Sequence, residues 1–170
     1  MNTRYSDLKD KRIFITGGGS GIGASIVEHF CEQGSEVYFV DINVKDSKKL
    51  INAINKKRFI APTFIECNLL NVQKLQKIIK KIISTKGTIH SLVNNAANDD
   101  RHNSKQVDEK YWENRMAINL KHYFFASKAV IESMIKNKNG SIVNLSSVSW
   151  MLGEGDKVVY ETAKSAVVGL

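Results

Sequence analysis

Short apolar runs take turns along the chain with longer stretches in which apolar residues recur every three or four positions. Residues 12–16 carry the run Ile13-Phe14-Ile15 and break into Gly17-Gly18-Gly19-Ser20-Gly21-Ile22-Gly23, after which Ile26, Val27 and Phe30 keep helical spacing. This predicts strand, glycine turn, helix. Gly34 ends the helix, and residues 36–40, with Val37-Tyr38-Phe39-Val40, predict a second buried strand closing in Asp41. A helix over 44–57 leads to a third strand over 59–66. Pro62 lies inside that strand, and proline is tolerated on an edge strand but not on a central one, so the third strand is expected outermost. A helix over 71–86 follows, with Val72, Leu75, Ile78, Ile79, Ile82 and Ile83 on one stripe. Strands over 89–95 and 141–145 flank a long helix over 107–137 that contains Asn119 and has Trp112, Met116, Leu120, Phe124, Val130 and Met134 among its apolar positions. The last helix carries Tyr160 and Lys164.

Strands alternating with helices predict an α/β fold on a parallel, doubly wound sheet, with ligands at the carboxyl ends of the strands. Apolar content is 42% and no Pro-, Gly- or Ser-rich linker interrupts the 170 residues, so 1–170 reads as a single domain. The net charge of +8 raises nucleic acid as a partner. The lysines are dispersed, however, and those of the 71–86 helix lie largely off its apolar stripe without aromatic interleaving, so they read as a solvated face. Nucleic acid is not expected. Cys31 and Cys67 have neither the number nor the spacing of a disulfide framework or a zinc site; they read as buried free thiols in a reducing, cytoplasmic compartment. No apolar run reaches membrane-spanning length and residues 1–10 lack a signal-peptide core, so neither membrane association nor export is expected.

Three groups of residues carry candidate chemistry. Glycines between a strand and a helix let the backbone approach a pyrophosphate, while the first helical N–H groups and the positive dipole end bind the anion. A tight turn alone also calls for glycine. Asp41, at the tip of the second strand, suits adenosine ribose hydroxyls and repels a 2′-phosphate; with no Lys or Arg inside the glycine loop, NAD is expected rather than NADP. Asp41 can instead cap the helix that follows, a task Asn43 can also take. Tyr160 and Lys164, one helical turn apart, share a face. An ammonium near the phenol favours the phenolate and lowers its pKa, which makes Tyr160 a candidate proton-transfer base.

The strings Thr16-Gly17-xxx-Gly21-Ile22-Gly23, Asn94-Asn95-Ala96, Asn119, Ser147 and Tyr160-xxx-Lys164 occur in that order. Together they resemble the short-chain dehydrogenase/reductase family across essentially the whole chain. The resemblance implies a Rossmann-like sheet in strand order 3-2-1-4-5. It implies that Tyr160 is the general base in alcohol oxidation, that Lys164 binds the nicotinamide ribose, that Ser147 hydrogen-bonds the substrate oxygen and that Asn119 holds a water in the proton relay. NAD contacts are implied at Gly17, Gly19, Ser20, Gly21, Ile22 and Gly23, at Asp41 and Ile42, at Asn68 and Leu69, and at Asn95 and Ala96, besides Tyr160 and Lys164. Ala97 stands where many members have glycine, and Asn68 where an aspartate often contacts adenine; its amide both donates and accepts. A homodimer or homotetramer through the long helix and the last helix is implied for the complete protein.

A narrower resemblance rests on Asn94-Asn95-Ala96-Ala97-Asn98-Asp99-Asp100-Arg101-His102, on Ser149-Trp150-Met151-Leu152-Gly153 and on Tyr160-Glu161-Thr162-Ala163-Lys164. These are similar to bacterial NAD-dependent sugar dehydrogenases that oxidise aldoses at C1 to the lactone. Substrate contacts are then implied at Asn98, Asp99, Arg101, His102, Ser147 and Trp150, although the acidic and basic residues after Asn98 can equally form a self-paired loop. No second ligand set accompanies His102, so no metal is expected. The alternatives are another alcohol or carbonyl substrate, ketoacyl or polyol, and a non-catalytic nucleotide-binding module. The family domain runs to about 250 residues with two further strands. The resemblance thus also implies a domain incomplete at its C-terminus, with the activity of the chain alone left open.

Overall fold

The computed structural model describes residues 3–170; residues 1–2, the start of the stretch read above for a signal core, lie outside it. In chain order the main elements are β1 (Arg12–Thr16), α1 (Gly21–Glu32), β2 (Glu36–Asp41), α2 (Val44–Lys56), β3 (Thr63–Glu66), α3 (Val72–Lys86) and β4 (Ser91–Asn94). They continue as α4 (Glu109–Met116), α5 (His122–Lys136), β5 (Ser141–Asn144), α6 (Ser149–Leu152) and α7 (Val158–Val167). The strands form one parallel sheet in the order β3-β2-β1-β4-β5. That is the expected Rossmann-like architecture.

Alternate residues of the central strands feed two cores, because successive side chains of a strand point to opposite faces. Phe14, Tyr38, Val40 and Leu92 pack under Leu75, Ile79 and Ile82 of α3 and Ala126, Val130 and Met134 of α5. On the other face Ile13, Ile15, Val37, Phe39 and Val93 pack against Val27 and Cys31 of α1 and Ile54 of α2. Strands buried on both faces read as unbroken apolar runs, which is why β1 and β2 were legible. Cys31 and Cys67 are buried and free.

Several element boundaries are tighter than expected. Sheet pairing of the third strand begins at Tyr38↔Thr63, directly after Pro62, so β3 is four residues rather than eight, and it lies at the edge. A proline has no N–H for the ladder. The fourth and fifth strands likewise shorten to four residues each. The long helix starts at Glu109, where the side chain of Asp108 accepts from Tyr111 N. It is also interrupted: Ala117–Lys121 is π-helical between α4 and α5. Such widened turns are frequent at functional sites, and this one contains Asn119. No helix of the described residues is long and apolar enough to cross a membrane.

Candidate functional site

The tips of β1, β2 and β4 hold a cleft of about 590 Å³. Gly17 opens it with a φ of +67°, which favours glycine, and a Cβ there would lie 2.8 Å from Ala96. At Gly23, in the first turn of α1, a Cβ would stand 1.9 Å from the Gly17 carbonyl oxygen. Bare backbone is therefore required at both ends of the loop. The N-cap of α1, Ser20, is extended and makes no side-chain cap hydrogen bond among the described residues. The arrangement can bind an anion at the helix start.

Two polar side chains lock the loop to β4. Thr16 Oγ1 accepts from Asn95 N (3.0 Å) and Ala96 N (3.2 Å), while Asn95 Nδ2 donates to Thr16 O (3.1 Å) and Gly17 O (3.0 Å). Asp41 does similar work on the β2 side, with Oδ2 accepting from Gly19 N and Oδ1 from Asn43 N, both at 2.8 Å. Asn43, not Asp41, caps α2, accepting from Asp46 N.

Of the residues expected to touch a dinucleotide, Gly17, Ser20, Gly21, Ile22 and Gly23 line this cleft, as do Asp41, Ile42, Asn68, Leu69, Asn95 and Ala96. Gly19 sits behind the lining, where a Cβ would meet Ser47 Oγ at 2.5 Å and Asp41 at 2.9 Å. Asn43, Cys67, Ala97 and Ile118 line it too, unforeseen from sequence. Ile118 reaches it from the π-helical turn, a placement that apolar periodicity does not encode. Tyr160 and Lys164 are not among the lining residues.

Those two stand beyond the end of β5. Ser146 Oγ donates to Lys164 O (2.6 Å), tying the strand end to α7. Lys164 is 1% exposed. Its Nζ donates to Tyr123 Oη at 2.8 Å and to Leu145 O at 2.6 Å, and it lies 5.7 Å from the centre of the Tyr160 ring. The ammonium expected near the Tyr160 hydroxyl makes its hydrogen bonds to Tyr123 and Leu145, because a buried ammonium pairs with the acceptors packed around it. Burial pushes Lys164 down to about 8. Tyr123 is raised by its burial and by the adjacent Tyr160. His122 lies edge-on to Tyr123, 4.5 Å between ring centres, and burial followed by the Lys164 charge pushes it down to about 3.

Asn119 is fully buried and holds the loop that follows β4. Its Oδ1 accepts from Asn98 N (2.7 Å) and its Nδ2 donates to Asn98 O (3.0 Å), a two-bond clamp on the loop after β4. The Ser147 hydroxyl lies 2.9 Å from Ser149 Oγ and accepts from Ser149 N at 3.2 Å, starting α6, where Trp150 is half-buried.

The loop of candidate sugar contacts divides in two. Asn98 and Asp99 line the cleft. Asp100 pairs with Arg115 at 2.8 Å, Arg101 pairs with Asp156, and His102 is engaged by Tyr111 and Val159. Arg101 and His102 thus fasten the loop to the start of α7 and to α4. No group of three His, Cys, Asp or Glu able to hold a metal gathers among the described residues.

The family model for short chain dehydrogenase matches residues 11–170. The chain belongs to the short chain dehydrogenase family. Within it, the chain is 42% identical over 166 residues to a D-xylose 1-dehydrogenase of Caulobacter vibrioides, covering 98% of this chain and 65% of that relative. It is 39% identical over 169 residues to a probable galactose dehydrogenase of Rhizobium meliloti, covering 99% and 66%. The ligand-free aldohexose dehydrogenase of Thermoplasma acidophilum superposes with a TM-score of 0.84 at 32% identity, covering 97% of this chain and 60% of that one. The chain thus spans about 65% of the length of the curated relatives it matches.

Proposed function

We propose that this short chain dehydrogenase is an aldose 1-dehydrogenase that oxidises the C1 hydroxyl of a sugar to the lactone with NAD+. The observation that carries the reading is the 42% identity, over 98% of the chain, to a D-xylose 1-dehydrogenase. The preference for NAD over NADP rests on Asp41, whose carboxylate stands in the cleft wall beside Ile42, with no Lys or Arg among the lining residues. When bound, the nicotinamide supplies the hydride acceptor.

The residues of the chain orient and move the proton. Ser147 holds the substrate oxygen, Tyr160 takes the proton from the C1 hydroxyl, and Lys164 keeps positive charge beside the tyrosine ring. Asn119 acts through Asn98, fixing the loop that closes the cleft. Asn98 and Asp99 offer polar groups for sugar hydroxyls. Trp112, Phe124, Ile131 and Ile135 are exposed along α4 and α5 and support association into a dimer or tetramer. The buried free thiols support a reducing, cytoplasmic setting. A panel of aldoses followed by nicotinamide absorbance with NAD+ and NADP+ tests the assignment. D-Xylose or a related aldose should be oxidised faster with NAD+; no turnover of any aldose would contradict it.

A further inference from the structure

Helix α7, which carries Tyr160 and Lys164, begins without a cap of its own. Lys157 precedes it and makes no side-chain cap hydrogen bond among the described residues. The first amides of a helix have no acceptor within the helix. At Val159, which is fully buried, the acceptor comes from far away in sequence: Val159 N donates to His102 Nε2 at 3.4 Å. The same loop reaches the same place twice more. His102 N donates to Asp156 O at 2.7 Å, and the Arg101 guanidinium pairs with the Asp156 carboxylate.

The imidazole is fixed from its other side as well. Nδ1 stands 3.1 Å from Asp100 O and 3.0 Å from Tyr111 Oη, and the His102 and Tyr111 rings pack with centres 5.0 Å apart. Arg115 lies over the Tyr111 ring at 4.8 Å while its guanidinium pairs with Asp100. These contacts assign the tautomer. Nδ1 carries the proton and donates to the Asp100 carbonyl, which leaves the Nε2 lone pair for the Val159 amide.

We propose that His102 is a positioning residue for Tyr160, acting as a remote cap on the helix that presents the tyrosine rather than as a sugar ligand. Val159 immediately precedes Tyr160, so the hydrogen bond that sets the first turn of α7 also sets where the phenol stands. A misplacement of about 1 Å at a reacting group costs on the order of 100-fold in rate. The proposal rests on the reading of Tyr160 as the base, and it makes the loop after β4 part of the apparatus that aims it.

The test is amide hydrogen exchange by NMR, with kcat and KM for an aldose, on the wild-type chain, His102→Phe and His102→Gln. Phenylalanine keeps a ring against Tyr111 and removes the acceptor. Glutamine restores an acceptor oxygen near the position of Nε2. In His102→Phe, Val159 should exchange about 10-fold faster while the amides of β1 and β4 keep their protection, and kcat should fall about 10- to 100-fold with KM within twofold. His102→Gln should recover most of both. Unchanged exchange at Val159, faster exchange with unchanged kcat, or a raised KM with unchanged kcat would each overturn the proposal, the last because it marks a direct sugar contact. If His102→Phe does not fold, His102→Gln against wild type still decides, since lost protection at Val159 in the glutamine variant contradicts a cap. If no aldose is oxidised by the wild type, the function fails, and unchanged exchange would still overturn the cap on its own.

Discussion

At the glycine-loop end, β1 and β2 are buried along almost their whole length, and backbone groups are tied to backbone or to short side chains such as Thr16, Asn95 and Asp41. At the tyrosine end, β5 is only half-buried, and Val143, Val148, Met151 and Leu152 stand exposed around it. There Lys164 is held by Tyr123, Asn119 by Asn98 and the Val159 amide by His102. One end is thus anchored in buried strands, and the other in single side-chain contacts around a half-buried strand. The difference predicts that the cleft is robust to changes at the tyrosine end, whereas the tyrosine end depends on many distant residues.

The contrast breaks hardest at Gly23. In Gly23→Ala the new Cβ meets the Gly17 carbonyl, so the loop must open. Affinity for NAD+ measured by calorimetry should fall about 100-fold, with roughly 2–3 kcal/mol of folding stability lost.

Lys164→Met probes the other end, where function and stability oppose each other. Burial lowers the lysine from 10.5 to about 8. Below pH 8 both folded and unfolded chains carry the proton, and the buried charge opposes folding in full. Between about 8 and 10.5 the folded chain releases its proton first, the unfolded chain binds more protons, and stability rises with pH. The methionine variant should therefore be more stable than wild type at pH 7, by about 1–3 kcal/mol in urea unfolding. Its advantage should shrink toward pH 10, and turnover should drop by about 100-fold or more.

A smaller effect is expected at Asp41. Asp41→Asn keeps an acceptor for one backbone N–H and removes the negative charge from the cleft wall. Stability should fall by about 1 kcal/mol. The preference for NAD+ over NADP+ should narrow about tenfold in paired KM measurements. The smallest change is Val143→Thr at the half-exposed strand. Stability should shift by less than about 0.5 kcal/mol in urea unfolding.

The strand order and the cleft were legible because periodicity and glycine spacing are local properties of the chain. The lining residues from Gly17 to Gly23 and Asp41 with Ile42 follow directly from strand, turn and helix. What was not legible depends on partners. Pro62 signalled an edge but not that pairing waits for Thr63. Asn119 reads as one residue of a long continuous helix, and only the π-helical turn shows it facing Asn98. For Arg101 and His102, sugar contacts and a self-paired loop are equal readings of the sequence; their partners Asp156 and Val159 lie more than fifty residues further on. The spacing of Tyr160 and Lys164 put both on one helix, but not the Lys164 ammonium on Tyr123.

The central claim is that the cleft holds the nicotinamide dinucleotide while Tyr160 alone removes the substrate proton. Calorimetric titration of NAD+ into wild type and Tyr160→Phe, with D-xylose turnover recorded on the same samples, tests it most directly. Equal NAD+ affinities within about twofold, with turnover reduced by about 100-fold or more in the phenylalanine variant, are predicted. Turnover that survives the substitution, or a wild-type chain that binds no NAD+, would contradict the account.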